Sequence, residues 1–135
     1  MKTIYLDYNA STPIDPRAAD AMLPYLTEHF GNPSSAHILG QKTKLAIEQA
    51  RNQIAKALRC LPSEIIFTSG GTESNNWAIK GTAFANRNKG NHIITSQIEH
   101  PGVIEVCRYL ELHGYKTTYL PVDKFGIVNP RSVSE

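Results

Sequence analysis

Apolar residues recur at Ile47, Ala50, Ile54, Ala57 and Leu58, the spacing of one helix face, and predict a helix from about Gln41 to Leu58. An earlier helix opens at Asp15-Pro16, an N-capping acid followed by a proline suited to the first helical position. It runs to about His29, with Pro24 as a point of kinking. Before it, Ile4-Tyr5-Leu6-Asp7 reads as a brief strand or extended arm that leads into a turn. The breaker-rich stretch Phe30-Gly31-Asn32-Pro33-Ser34-Ser35 predicts a loop. Glu64-Ile65-Ile66-Phe67-Thr68 is a continuous apolar run, the signature of a strand buried on both faces. Ser69-Gly70-Gly71-Thr72-Glu73-Ser74 then turns into a helix over about Thr72 to Asn86, and Gly90 closes that unit. His92-Ile93-Ile94-Thr95-Ser96 is a second strand, and His100-Pro101 opens a helix to about His113, ended by Gly114. Lys116 to Val122 is a third strand, Asp123-Lys124-Phe125-Gly126 a turn, and Asn129-Pro130 the cap and first position of one more helix.

Strands alternating with helices argue an α/β fold, a mostly parallel sheet with helices on its faces. No internal repeat or low-complexity linker divides the chain, so a single unit is expected. Three short strands make a narrow sheet with open edges, and the final helix is only one or two turns long. These features predict an incomplete portion of a larger domain in preference to a small complete domain with a frayed tail.

Composition narrows the class. The 135 residues are 41% hydrophobic and 19% charged, which excludes a disordered or collagen-like chain. Fourteen Lys and Arg against twelve Asp and Glu leave a net charge of +2, scattered without the basic face of a nucleic-acid binder. No apolar run approaches the ~18 residues of a membrane helix. Asp7 interrupts the N-terminus where a signal peptide needs its apolar stretch. Two cysteines, Cys60 and Cys107, make no disulfide framework, so a reducing cytoplasm is expected.

The strongest chemical signal is the strand, Ser69-Gly70-Gly71-Thr72, helix sequence. Glycines admit close approach of a ligand, and the unpaired amides and dipole of a helix start favour an anion. A phosphate fits on Gly71 and Thr72; the plain alternative is a strand-to-helix turn capped by Ser69 or Thr72. The loop is neither a Walker motif nor a dinucleotide fingerprint. Glu99-His100-Pro101 follows the second strand, at the end where parallel sheets bind ligands, and His100 is the expected N-cap of the next helix. An imidazole there is placed to stack on an aromatic ligand and move protons, or else simply shapes the turn. The segment Gly31 to His37 is a binding loop or, more simply, a turn with Ser34 or Ser35 capping a helix. His29, His92 and His113 have no metal-ligand spacing, and Cys60 and Cys107 read as packing residues, so no metal site is expected.

Several segments together carry a resemblance. Tyr5-Leu6-Asp7-Tyr8-Asn9-Ala10-Ser11-Thr12-Pro13, Phe30 to Ser35, Phe67-Thr68-Ser69-Gly70-Gly71-Thr72-Glu73-Ser74-Asn75-Asn76, His92 to Ser96, Glu99-His100 and Tyr119-Leu120-Pro121-Val122-Asp123 occur in order. The chain resembles the start of the NifS/IscS-like cysteine desulfurases, within the class V aminotransferase-type pyridoxal phosphate enzymes. The resemblance implies fold type I, with residues 1–30 as an N-terminal arm and helix and 31–135 as the start of the large cofactor-binding domain. It implies a homodimer that takes sulfur from L-cysteine and leaves L-alanine. The sulfur is held as an enzyme persulfide for a sulfur acceptor or iron–sulfur scaffold, or for tRNA thiolation. It places Gly71 and Thr72 on the phosphate of pyridoxal 5'-phosphate, and His100 on the cofactor ring as the proton-shuttling residue.

The family's cofactor-linking lysine lies in a Ser-x-His-Lys context, and Lys2, Lys42, Lys44, Lys56, Lys80, Lys89, Lys116 and Lys124 do not match it. The aspartate that pairs with the ring nitrogen and the sulfur-accepting cysteine have no counterpart either. The 135 residues are therefore expected to be inactive alone. A non-catalytic partner of a desulfurase protomer, and another class V activity such as selenocysteine lyase, are the alternatives.

Overall fold

The computed structural model describes residues 3–134; Lys2, among the lysines considered for the cofactor, and residue 135 lie outside them. The elements run α1 (Pro16–Thr27), α2 (Ile38–Leu58), α3 (Gly71–Ala85), β1 (His92–Ser96), α4 (Pro101–Glu111) and β2 (Lys116–Leu120). Single 3-10 turns cover Pro62–Glu64 and Pro130–Val133. The chain divides into two compact units, one ending at Ile66 and the other beginning at Phe67.

In the first unit Ile4–Asp7 forms neither helix nor strand, and Ala10 N–H closes the following turn on the Asp7 carbonyl at 3.1 Å. Asp15 caps α1 as expected, accepting the Arg17 N–H at 2.9 Å. The Arg17 guanidinium beside it holds the Asp15 carboxyl below its usual range. Helix α2 starts at Ile38, three residues before Gln41, because His37 caps it by accepting the Gly40 N–H at 3.4 Å. Neither Ser34 nor Ser35 is that cap. The Asn32 side chain accepts the Ser34 N–H at 2.8 Å, and the Asn32 carbonyl accepts that of Ser35 at 3.0 Å, which folds the loop on itself. Helix α2 ends at Arg59, which adopts the left-handed conformation (φ 56°, ψ 44°) while Cys60 N–H reaches back to the Ala55 carbonyl at 3.0 Å.

The strand expected at Glu64–Thr68 does not form. Ile65 N–H donates to the Pro62 carbonyl at 3.2 Å, and the Ile65 carbonyl accepts the Arg51 guanidinium. Those groups are thereby removed from any ladder. Ile66 and Phe67 are 54% and 46% exposed, so the run is not buried on both faces.

In the second unit α4 connects two parallel strands, β1 and β2, paired from His92–Lys116 to Ser96–Leu120. The sheet has two strands among the described residues, not three. β2 stops at Leu120, two residues short of Val122. Val122 instead makes a lone antiparallel bridge to Val128 across the 123–126 turn. That turn is tied by the Asp123 carboxylate, which accepts the Phe125 and Ile127 N–H groups at 2.8 and 2.9 Å. Asn129 caps the segment Pro130–Val133 as expected, but as a 3-10 turn. The core is Val106, Leu110 and Tyr115, with Ile79, Ala83 and Ile93 packed against it. It holds α3 and α4 together, and the Tyr115 hydroxyl ties down to the Ala83 carbonyl at 2.8 Å. The result is an α/β arrangement of parallel strands and packed helices, as the alternation of elements predicts.

Candidate functional site

The loop from Thr68 to Ser74 is rich in hydroxyls, and nearly all of them hold the loop itself. Thr68 Oγ1 and Ser74 Oγ are 2.7 Å apart, and both lie 3.2 Å from the Gly70 carbonyl. The Ser69 hydroxyl donates to the Glu73 carboxylate. Bonds from the Ser69 backbone N–H and then its hydroxyl hold the Glu73 carboxyl below its usual range. The Thr72 hydroxyl is different: among the described residues it makes no hydrogen bond.

Gly70 is the N-cap of α3 and offers no side-chain cap, so no capping side chain takes the first-turn amides of the helix. Its backbone is extended (φ 162°, ψ −179°), a conformation open to any residue. A Cβ built on Gly70 or on Gly71 meets nothing within 4 Å. These glycines therefore serve as open ground over the amides; neither is needed for a left-handed turn.

His100 is the N-cap of α4, and its Nδ1 accepts the Gly102 N–H at 2.9 Å. A Cβ built on Gly102 lies 3.1 Å from His100 Nδ1 and 3.5 Å from Thr72 Oγ1. The imidazole and the uncommitted hydroxyl thus meet across the bare backbone of Gly102. Both border a cavity of about 460 Å³, which also takes in Asn76, Lys80 and Glu105. Thr72, Asn76 and Lys80 stand four residues apart on one face of α3, so each successive turn adds a polar group to the same wall. Asn76, Lys80 and Glu105 are not among the site residues expected from the sequence; the i, i+4, i+8 spacing from Thr72 marks Asn76 and Lys80, whereas Glu105 joins them from α4 and no such spacing marks it. The Lys80 ammonium sits 4.0 Å over the Tyr109 ring.

This donor set fits the phosphate of pyridoxal phosphate: uncapped amides, a free hydroxyl, open space over two glycines, and a lysine in the same cavity. The remaining candidates do not join it. Cys107 is buried, and desolvation first, then Glu111 and Glu99, pushes its thiol up, the opposite of an activated nucleophile. Cys60 follows α2 and is half-buried. Among the described residues no three His, Cys, Asp or Glu side chains group as metal ligands, and no helix is long and apolar enough to cross a membrane.

A cysteine desulfurase, IscS, of Methanosarcina thermophila is 57% identical over 129 residues, 96% of this chain and 32% of that protein. A solved NifS-like protein superposes with a TM-score of 0.88 at 42% identity, over 96% of this chain and 36% of the other. A structure described as SspA in complex with cysteine gives 0.86 at 46% identity, over 97% and 38%. The chain spans roughly a third of the length of the curated relatives it matches. It is homologous to the NifS/IscS-like cysteine desulfurases, of the fold-type-I pyridoxal phosphate enzymes. The model of the class-V aminotransferases matches residues 4–135, and the chain belongs to that family.

Proposed function

We propose that this chain supplies the phosphate-binding and ring-facing part of a pyridoxal phosphate-dependent cysteine desulfurase. The observation that carries the reading is the Thr72 hydroxyl, which among the described residues makes no hydrogen bond while the hydroxyls of Thr68, Ser69 and Ser74 are engaged, and which lies 3.5 Å from a Cβ built on Gly102. Thr72 and the first-turn amides at Gly71 hold the phosphate, where the helix dipole favours negative charge. His100, which borders the same cavity, would face the cofactor ring there and hold or move a proton at its imidazole. When bound, the cofactor supplies the electron sink that lets bonds at the substrate's α-carbon break.

Likeness to the cysteine desulfurases supports L-cysteine as substrate, a homodimer as the assembly, and a sulfur acceptor or iron–sulfur scaffold as partner. A cytoplasmic setting accords with that chemistry. The lysines of this chain match no cofactor-linking motif, which supports an inactive piece when the 135 residues stand alone.

The test titrates the chain with pyridoxal phosphate and with pyridoxal, following cofactor absorbance, and repeats both with Thr72→Val. The phosphate-bearing ligand binds more tightly to the native chain. The substitution weakens it by about tenfold or more, the worth of one hydrogen bond to a charged group at about 1.5–3 kcal/mol. Equal affinity of the two proteins for pyridoxal phosphate overturns the phosphate assignment. Sulfide or alanine formed catalytically from L-cysteine by the native chain overturns its inactivity.

A further inference from the structure

His100 stands on Gly102, and that contact determines which of its nitrogens is available. A backbone N–H can only donate. Because the Gly102 N–H points at His100 Nδ1 at 2.9 Å, Nδ1 must present a lone pair, and the ring proton of the neutral imidazole must sit on Nε2. We infer that Gly102 is a positioning residue, whose amide fixes His100 as the Nε2–H tautomer and confines its proton exchange to Nε2. The inference deepens the proposed role of His100 and rests on that reading for its functional meaning; the tautomer itself does not.

The same helix supplies the contrast. His113, just past the end of α4, has Nδ1 2.7 Å from the Tyr109 carbonyl, a group that can only accept. Its ring must therefore carry the proton on Nδ1. One helix thus sets opposite tautomers at its two ends, because a helix start offers uncommitted N–H groups and a helix end uncommitted carbonyls. At His100 the choice matters. The bond to Gly102 is also the N-cap of α4, so a proton arriving at Nδ1 would displace the cap and free the ring. Exchange at Nε2 leaves cap and ring in place. The absence of a side chain at residue 102 keeps the approach short, since a Cβ there would lie 3.1 Å from Nδ1.

The experiment is a long-range proton–nitrogen NMR correlation of the chain labelled with ¹⁵N-histidine, without cofactor and above the imidazole titration. The His100 set is identified by its loss in His100→Asn, whose side-chain carbonyl retains the cap. The expected spectrum shows His100 with bare Nδ1 and protonated Nε2, and His113 with the reverse pattern in the same sample. Replacing residue 102 by its α-hydroxy analogue, which turns the Gly102 amide into an ester and removes only the N–H, moves His100 toward a mixture of both tautomers. A native His100 pattern with Nδ1 protonated or evenly mixed overturns the inference, as does a pattern the ester leaves unchanged. Cofactor plays no part in the measurement. The expected tautomers together with Thr72-independent cofactor binding would therefore remove the proposed function and leave the inference standing.

Discussion

The Glu73 carboxylate closes on Ser69 twice, accepting the backbone N–H at 2.6 Å and the hydroxyl at 2.7 Å. The second residue of the loop is thereby fastened to the first turn of the helix that follows. Thr72, between them in sequence, is held in place while its own hydroxyl stays out of the network.

Those two bonds make the loop acid-sensitive. They depress the Glu73 pKa below its ordinary 4.5, so the folded state favours the carboxylate. The stabilisation is fully present above about pH 4.5 and is lost as pH falls through the depressed value. Glu73→Gln keeps an acceptor that does not titrate in this range. Thermal midpoints measured from about pH 6 down to about pH 3 should fall more steeply for the native chain than for Glu73→Gln. Parallel curves would show that these bonds carry no linkage.

Arg59 ends α2 with φ 56°, a conformation that costs a residue bearing a Cβ about 1–2 kcal/mol relative to glycine. Arg59→Gly should therefore raise stability in urea, by up to about 1 kcal/mol once the greater freedom of glycine in the unfolded chain is subtracted. An unchanged or lowered midpoint at constant m-value would mean that the arginine side chain contributes more than its backbone strain removes.

Caps whose chemistry is common were legible in the sequence. Asp15-Pro16, His100-Pro101 and Asn129-Pro130 each place an acceptor before a proline, and all three cap as expected. The start of α2 was missed because its acceptor is a histidine with no proline after it, and two serines nearby were the commoner choice. The Glu64–Thr68 run misled because hydrophobicity reports what a segment prefers to touch. Whether a neighbouring strand is there to pair with is a separate matter. Arg51 and Pro62, outside that run, decided the outcome by taking the backbone groups of Ile65. Gly71, Thr72 and His100 were visible as types at the right ends of elements. That Thr72 and His100 share Gly102 as a neighbour was not, because it depends on how α3 packs on α4.

Gly40 lies where the loop from Phe30 to Ser35 folds back on α2. A methyl group there would overlap the backbone oxygens of Asn32 and Ser35, neither of which is the end of a flexible side chain. The higher helix propensity of alanine cannot offset that clash. Gly40→Ala should destabilise the chain by about 1–3 kcal/mol, read as a lower denaturant midpoint. A stabilised variant would show that the loop moves away freely and is not built onto the helix.

Leu110 and Leu112 test whether packing under the site holds its geometry. Leu110 is fully buried between Val106 and Tyr115, whereas Leu112 is 86% exposed. Truncating Leu110 leaves a cavity beneath α4 on the side packed against α3, and Leu110→Ala should cost about 2–5 kcal/mol. Leu112→Ala should stay within about 0.5 kcal/mol of the native chain. Thr72 stands on α3 and His100 caps α4, so loosening that interface also loosens the gap across Gly102. Leu110→Ala should then weaken pyridoxal phosphate binding even at temperatures where the variant remains folded by circular dichroism, while Leu112→Ala leaves it unchanged. Native affinity in a folded Leu110→Ala would mean that the bond from Gly102 to His100 and the loop network around Thr72 set the site without help from the core.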